Sequence, residues 1–482
     1  LMKNLTYFFF ALMLCAQFVA CNDDDEGTMA TDPTATIFER SSIDFIDGTG
    51  VESTIQIVNI TDRGQGTGSV TLSNDTTYIL NGFVFVNEGQ TLTIEPGTVI
   101  KGAEGQGEDA AALVVARGAM IDACGTADNP IIFTSVAEPI FASSNGIVRN
   151  GNLDANLIGL WGGLIVLGEA TINSTPGTSA VEGIPTDETR GNFGGSNDAD
   201  NSGKLRYISV RHGGSDIGGG NEINGVTFGG VGSGTTVEFV EVFGNRDDGF
   251  EWFGGTVNTK NLVSAFNQDD AFDYDIGWRG NNQFWLAFQR ISADRGGEHD
   301  GGTDPETASP FAMPFIANAS FFGLGSGEGK RAITFRDNAG GHYLNSIFSG
   351  YENGVDIEYL GDETVEDSHN RFLAGELTFV ANILTDVAQN PFTIAPANDD
   401  IMVPQAVQDD ATLYFSNQGN TTVSDPMFMA DGVTPTPGGV ANSGLTTNPA
   451  GSFFTTVDYK GAVNPSTGPT WIAGWTRLSE EF

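Results

Sequence analysis

The stretch Asn245 to Phe272 begins and ends with nearly the same six residues, and this duplication constrains the fold more than any other feature of the chain. Asn245, Asp247, Asp248 and Phe250 recur as Asn267, Asp269, Asp270 and Phe272, each 22 positions later. Between the copies lie a Gly-Gly turn (Gly254, Gly255) and an apolar pair (Leu262, Val263). One aromatic or β-branched stretch per ~20 residues, closed by a polar corner, is the signature of a β-solenoid coil. Like residues then stack on like. The two Asp pairs come to lie about 5 Å apart, one strand spacing, and what balances their charge becomes the functional question.

The same periodicity appears elsewhere. Leu92–Ile100 aligns without a gap, 21 residues on, with Leu113–Ile121, and Ile131–Thr134 starts the next strand. Such a rung fits three short strands and their turns. Later rungs place an Asn before an apolar pair, at Asn261, Asn318, Asn345 and Asn382. An Asn at a repeated corner suits a stacked amide ladder and tolerates a left-handed turn. The expected fold class is all-β: a right-handed parallel β-helix with looped-out insertions at 139–158 and 174–203 and a cap at each end. Residues 37–80 read as N-terminal strands or cap, and 81–385 as the β-helix. Residues 386–482 read as irregular final coils, with a weak strand at Thr412–Phe415. An aromatic segment from Phe453 to Trp475 is expected to cover the open end, because an uncovered end exposes unpaired edges.

The strings LTIEPGTVIKG, LVVARGAMIDACGTADNPIIFTS and GLWGGLIVLGEA resemble the opening coils of pectin-lyase-like parallel β-helix proteins. LRYISVRHGG, DDGFEWFGGTVNTKNLV, DDAFDYDIGWRG and WIAGWT resemble, more narrowly, a group of β-helix lipoproteins from Bacteroidota and marine bacteria. The likeness spans roughly residues 70–482. For the pectin-lyase-like class it implies acidic Ca²⁺ ligands combined with a basic residue that abstracts a proton. The narrower group carries no activity to transfer.

Charge narrows the partners. The chain has 62 acidic against 21 basic residues, a net charge of −41. Such a surface repels nucleic acid and anionic headgroups and favours cations, basic partners or neutral ligands. Lys3 followed by the apolar run Leu5–Val19 has the form of a signal peptide over residues 1–20. Phe18-Val19-Ala20-Cys21 resembles a bacterial lipobox, with Cys21 as the lipidated residue. The acidic run Asp23–Glu26 resembles the surface-export signal of Bacteroidota lipoproteins, and residues 21–36 read as a flexible acidic tether. The expected address is the outer membrane, on the cell surface, with the membrane met only through the lipid. Cys124 then stands alone in the body, so no internal disulfide is expected there.

The candidate chemistry centres on Asp247, Asp248, Asp269, Asp270, Asp273 and Asp275. Stacked carboxylates raise one another's pKa. Three resolutions are open: a hard cation such as Ca²⁺; pairing with Arg246, Arg279, Arg290 or Arg295; or capping of backbone N–H groups in the corners. Trp252, Trp278 and Trp285, with Arg279, are candidates for stacking on and bonding to a glycan. Glu298, His299 and Asp300, between Gly pairs, read as an exposed loop, with His299 a ligand-binding candidate. Arg246, Arg279 and His299 are the candidate bases for a lyase. The segment Gly323–Arg331 fails the phosphate-loop spacing. Three functions follow: a Ca²⁺-assisted surface module for a glycan or protein partner; a polysaccharide lyase or glycoside hydrolase; or a structural surface-layer component.

Overall fold

The computed structural model describes residues 35–481, except 186, 219–220, 291, 303–304, 326, 328–330, 362–365 and 424–426. The expected signal peptide, the expected lipidation site Cys21 and the expected tether up to residue 34 lie outside the described residues.

The chain is an all-β parallel β-helix. One face is a ten-stranded parallel sheet, here called the front sheet, that runs from Phe83–Val86 to Phe392–Pro396. Phe250–Phe253 pairs in parallel with Phe272–Asp275, placing Phe250 on Phe272 and Glu251 on Asp273. The 22-residue repeat is therefore one coil. The other two faces form one continuous sheet, because long strands bend from one face to the next.

The bend has a single local cause. Tyr207, Phe239, Asn261 and Phe284 hold positive φ of 50 to 63° inside four successive long strands. Asn318 and Asn345 continue the column with φ of 55 and 51°. Non-glycine residues adopt this conformation only where the surroundings enforce it. At the last of the predicted Asn corners the left-handed residue is Ala381 (φ 59°), not Asn382. Asn382 instead bonds along the stack: its N–H donates to Asn420 Oδ1 at 2.9 Å and its Nδ2 to the Tyr343 carbonyl at 2.9 Å. Buried amides thus satisfy the corners in place of water.

Alternation along each front strand sorts side chains inward and outward. Phe250, Trp252, Phe272 and Tyr274 point inward and are fully buried. Trp252 stacks on Trp278 at 4.5 Å and on Trp285 at 5.1 Å, and Trp285 on Phe272 at 4.3 Å. These three tryptophans are the centre of the core, which corrects their assignment to a glycan-binding face. A large apolar ring is worth more inside a solenoid, where it meets its neighbours above and below, than in water.

The ends also differ from expectation. Thr412–Phe415 belongs to a helix, Gln405–Asn417, not to a strand. Ala411 and Phe415 of this helix enter the main core, and Phe415 packs 4.9 Å from Phe392 of the last front strand. The far end is therefore closed by a helix. The aromatic C-terminal segment runs back along the flank instead. Thr455 bonds Gln283, Ala462 bonds Ser320, Trp475 packs edge-on against Tyr207 at 5.7 Å, and the amides of Arg477 and Leu478 donate to the buried Glu241 carboxylate at 2.7 and 2.8 Å.

Replacing Trp285 by Ala empties the middle of the aromatic stack. The expected loss is about 3–5 kcal/mol of stability, read as a lowered urea midpoint. An unchanged midpoint would contradict its place in the core.

Candidate functional site

The outward positions of the front sheet change character along the stack. In the early coils they are apolar: Phe85, Val114, Ile165, Leu167 and Phe253. The insertion after residue 170 lies on them through Ile172, Val181, Ile184 and Phe193. Arg190 pins it, with Nη1 2.7 Å from Asp62 and its guanidinium 3.9 Å over the Phe85 ring. Where the insertion stops, the outward column turns acidic. Glu251, Asp273 and Glu298 are cross-strand neighbours in consecutive coils, followed by Thr334 and Asp356. A cavity of about 220 Å³ separates the two regions, lined by Val181, Glu182, Phe193, Phe253, Asp275 and Ile276.

The corner aspartates adjoin this column. Asp248 accepts the backbone N–H of Asp270 at 2.8 Å, and Asp270 accepts that of Arg295 at 2.5 Å. Each carboxylate caps the next coil, so the turn-capping expectation holds for these two. Asp275 likewise accepts the N–H of Ile276. Arginines serve the later coils. Arg295 pairs with Asp270, Asp294 and Glu298; Arg336 with Glu298 and Asp300; Arg331 with Asp356. Among the described residues, no Lys or Arg pairs with Asp247, Asp248, Glu251 or Asp273.

Three groups of carboxylates crowd here: Asp247, Asp248 and Asp269; Asp248, Glu251 and Asp273; Asp269, Asp270 and Asp294. Within each, one oxygen per residue lies within 4.8 Å of the others. That spacing suits a hard cation with oxygen ligands at about 2.3–2.6 Å. Glu251 accepts from Asn224 Nδ2. Asp273 is only 9 % exposed, and its Oδ1 has no hydrogen-bond partner among the described residues. Burial first, then neighbouring carboxylates, raise the pKa of Asp248, Glu251 and Asp273 well above the usual range. Burial and Asp269 push Asp247 up to about 7. Burial brings Glu298 to about 7 despite Arg295 and Arg336.

His299 is no ligand. Glu298, His299 and Asp300 lie on a strand, Arg295–Asp300, and not in an exposed loop. His299 therefore points inward, stacks 4.0 Å from Tyr274 and meets the Tyr343 hydroxyl through Nε2 at 2.7 Å. Burial depresses its pKa to about 3, so it stays neutral. Arg279 lies beyond the turn after the acidic strand and pairs with Asp198 at 3.2 Å, away from the carboxylate column. Glu251 and Asp294 escaped the sequence reading. Glu251 stands between the inward Phe250 and Trp252 and is matched by Asp273 at the same 22-residue step, so the repeat itself carried the signal.

The raised pKa values fix a pH dependence. A carboxyl whose pKa rises on folding keeps its proton in the folded state after the unfolded chain has lost it. Its contribution is present below the unfolded value, near ~4, and is lost as pH rises through about 7 for Asp247 and Glu298. In chelator, Asp247→Asn and Asp273→Asn are expected to stabilise the protein at pH 8 more than at pH 5, measured by urea unfolding. Equal effects at both pH values would refute the protonated cluster.

A family model described as a pectate-lyase like beta helix domain matches residues 64–476. No curated protein and no solved structure matches the chain. The match covers most of the chain, including every coil that bears the acidic column, and so this protein belongs to the pectate-lyase-like β-helix family.

Proposed function

We propose that the protein binds a Ca²⁺-like cation on the acidic part of its front sheet and uses it to hold a glycan at the cell surface. The observation that carries the reading is Asp273 Oδ1, buried beside Asp248 and Glu251 and without a hydrogen-bond partner among the described residues. A buried carboxylate oxygen without a partner is costly, and a shared cation relieves three such groups at once. The donor set is all oxygen, which suits Ca²⁺ over softer metals. A bound cation with open positions would accept sugar hydroxyls or carboxylates. With the tryptophans in the core, the polar contacts fall to the cation and to Arg331 and Arg336, whose side chains are 44 % and 39 % exposed.

Calorimetry tests this directly. The wild type is expected to bind Ca²⁺ in the micromolar-to-millimolar range, and Asp273→Asn and Asp247→Asn/Asp269→Asn to bind at least about tenfold more weakly. No heat at millimolar Ca²⁺ would sink the cation reading. Glycan binding should then vanish in chelator.

Family membership favours a second reading, a polysaccharide lyase. Its difficulty is the base. Burial alone would lower the pKa of Arg336, but the bonds to Asp300 and Glu298 outweigh it and hold the proton on. His299 is sealed in the core. Release of unsaturated products from uronate polymers with Ca²⁺ present would establish the lyase; none is expected.

The surface address rests on the N-terminal signals alone. Cys21→Ala is expected to abolish lipid labelling and to release the protein from the membrane fraction. Retention and labelling in that variant would overturn the anchor.

A further inference from the structure

The first strand of the fold carries an open edge. β1 (Ile37–Ile46) pairs antiparallel with β2 (Glu52–Thr61), and among the described residues no strand lies on its other side. Every residue of β1 except Phe45 is exposed, including Phe38 at 37 %, Ile43 at 42 % and Ile46 at 56 %. A long, apolar, unpaired edge is a template for another strand.

The hydrogen-bond parity of the hairpin says which residues face that edge. The Asp47 amide donates to the Val51 carbonyl at 3.0 Å, in register with the pairs Phe45 with Ser53 and Ile43 with Ile55. Bonded and non-bonded pairs alternate in an antiparallel ladder. The odd residues of β1 therefore bond to β2. Phe38, Arg40, Ser42, Asp44 and Ile46 turn their amides and carbonyls outward. Among the described residues one of these groups is engaged, the Ile46 carbonyl by Asn150 Nδ2 at 3.4 Å, and just beyond the strand the Gly48 amide donates to the Arg149 carbonyl at 2.9 Å.

We propose that β1 pairs antiparallel with β1 of a second copy of this chain, about a two-fold axis through Ser42. Both partners offer the even residues, so only registers that match even with even are allowed. Centring on Ser42 sets Arg40 opposite the partner's Asp44, twice, and Phe38 opposite the partner's Ile46, twice. A slip of two residues either way puts Arg40 opposite Ser42 or Ile46 and loses both ion pairs. Asp44 already accepts from Thr54 at 3.0 Å through Oδ1, which leaves its second oxygen to meet the partner copy's Arg40 in this register. The sequence of the strand is thus complementary to itself in one register. Two β-helices would join end to end, N-terminal coil to N-terminal coil.

Cysteine cross-linking of the full chain in the membranes of expressing cells tests the register. A Cys124→Ser background removes the thiol of the body. Opposed residues of a bonded antiparallel pair sit ~5.5 Å apart, within disulfide reach. Ser42→Cys is expected to give a disulfide-linked dimer under mild oxidation, and Thr49→Cys, in the exposed turn beyond β1, is not. Arg40→Asp or Asp44→Arg in the Ser42→Cys chain should cut the dimer about tenfold by opposing like charges, and the charge-swapped double variant should restore it. Absence of the Ser42 dimer, or equal cross-linking at Thr49, would overturn the proposal. So would a double variant no better than the singles. Ser42 is exposed, so the variant is expected to keep the wild-type melting temperature, which separates misfolding from a missing partner.

Discussion

Everything in this molecule follows from the backbone hydrogen bonds that fix one coil on the next. They hold adjacent strands ~4.8 Å apart and leave no freedom to move unlike residues together. Whatever stands at a given position of one coil meets its counterpart in the next. Inside, this is favourable: rings fall on rings, as with Phe250 on Phe272 at 5.6 Å. At the corners it is favourable too, since an amide both donates and accepts, as Asn382 and Asn420 do. On the outside the same rule places Asp273 between Glu251 and Glu298. Carboxylates only accept when ionised, so the rule that builds the core creates the electrostatic problem on the surface.

The chain resolves that problem differently along its length. In the later coils Arg295, Arg331 and Arg336 enter the column as cations. In the early coils the insertion removes the outer face from water altogether. Between these lies a stretch with neither remedy, where Asp247, Asp248, Glu251 and Asp273 share one region. The position of this stretch, bordered by an apolar cover on one side and guanidinium groups on the other, is what marks it from the general acidity of the surface.

The repeat made the coil legible, because a 22-residue step between near-identical hexamers has few other physical meanings. It also gave the stacking of Asp248 on Asp270. It did not give the direction of each side chain. Trp252 and Trp278 look alike in sequence whether they face solvent or core, and only the register to Phe228 and Tyr274 settles that Trp252 is inward. His299 was misplaced for the same reason: glycines around it suggested a loop, yet Gly297 serves as an inward strand residue where the core has no room for more. The capping helix is hidden in the sequence because it has only two buried residues, Ala411 and Phe415, and so almost no apolar periodicity.

The return of the C-terminal segment along the flank alters how such a stack can come into being. A simple solenoid can form coil by coil, each new rung resting on the last. Here the flank around Tyr207, Phe239 and Glu241 receives its cover from residues beyond 470. During synthesis that flank must wait for residues 471–478. The buried Glu241 carboxylate finds its amide donors, Arg477 and Leu478, only after 236 and 237 further residues have been made. Residues 471–478 thus act as a closing signal: a chain that stops before them keeps an apolar, charge-bearing flank open, and is chemically distinguishable from one that has reached them.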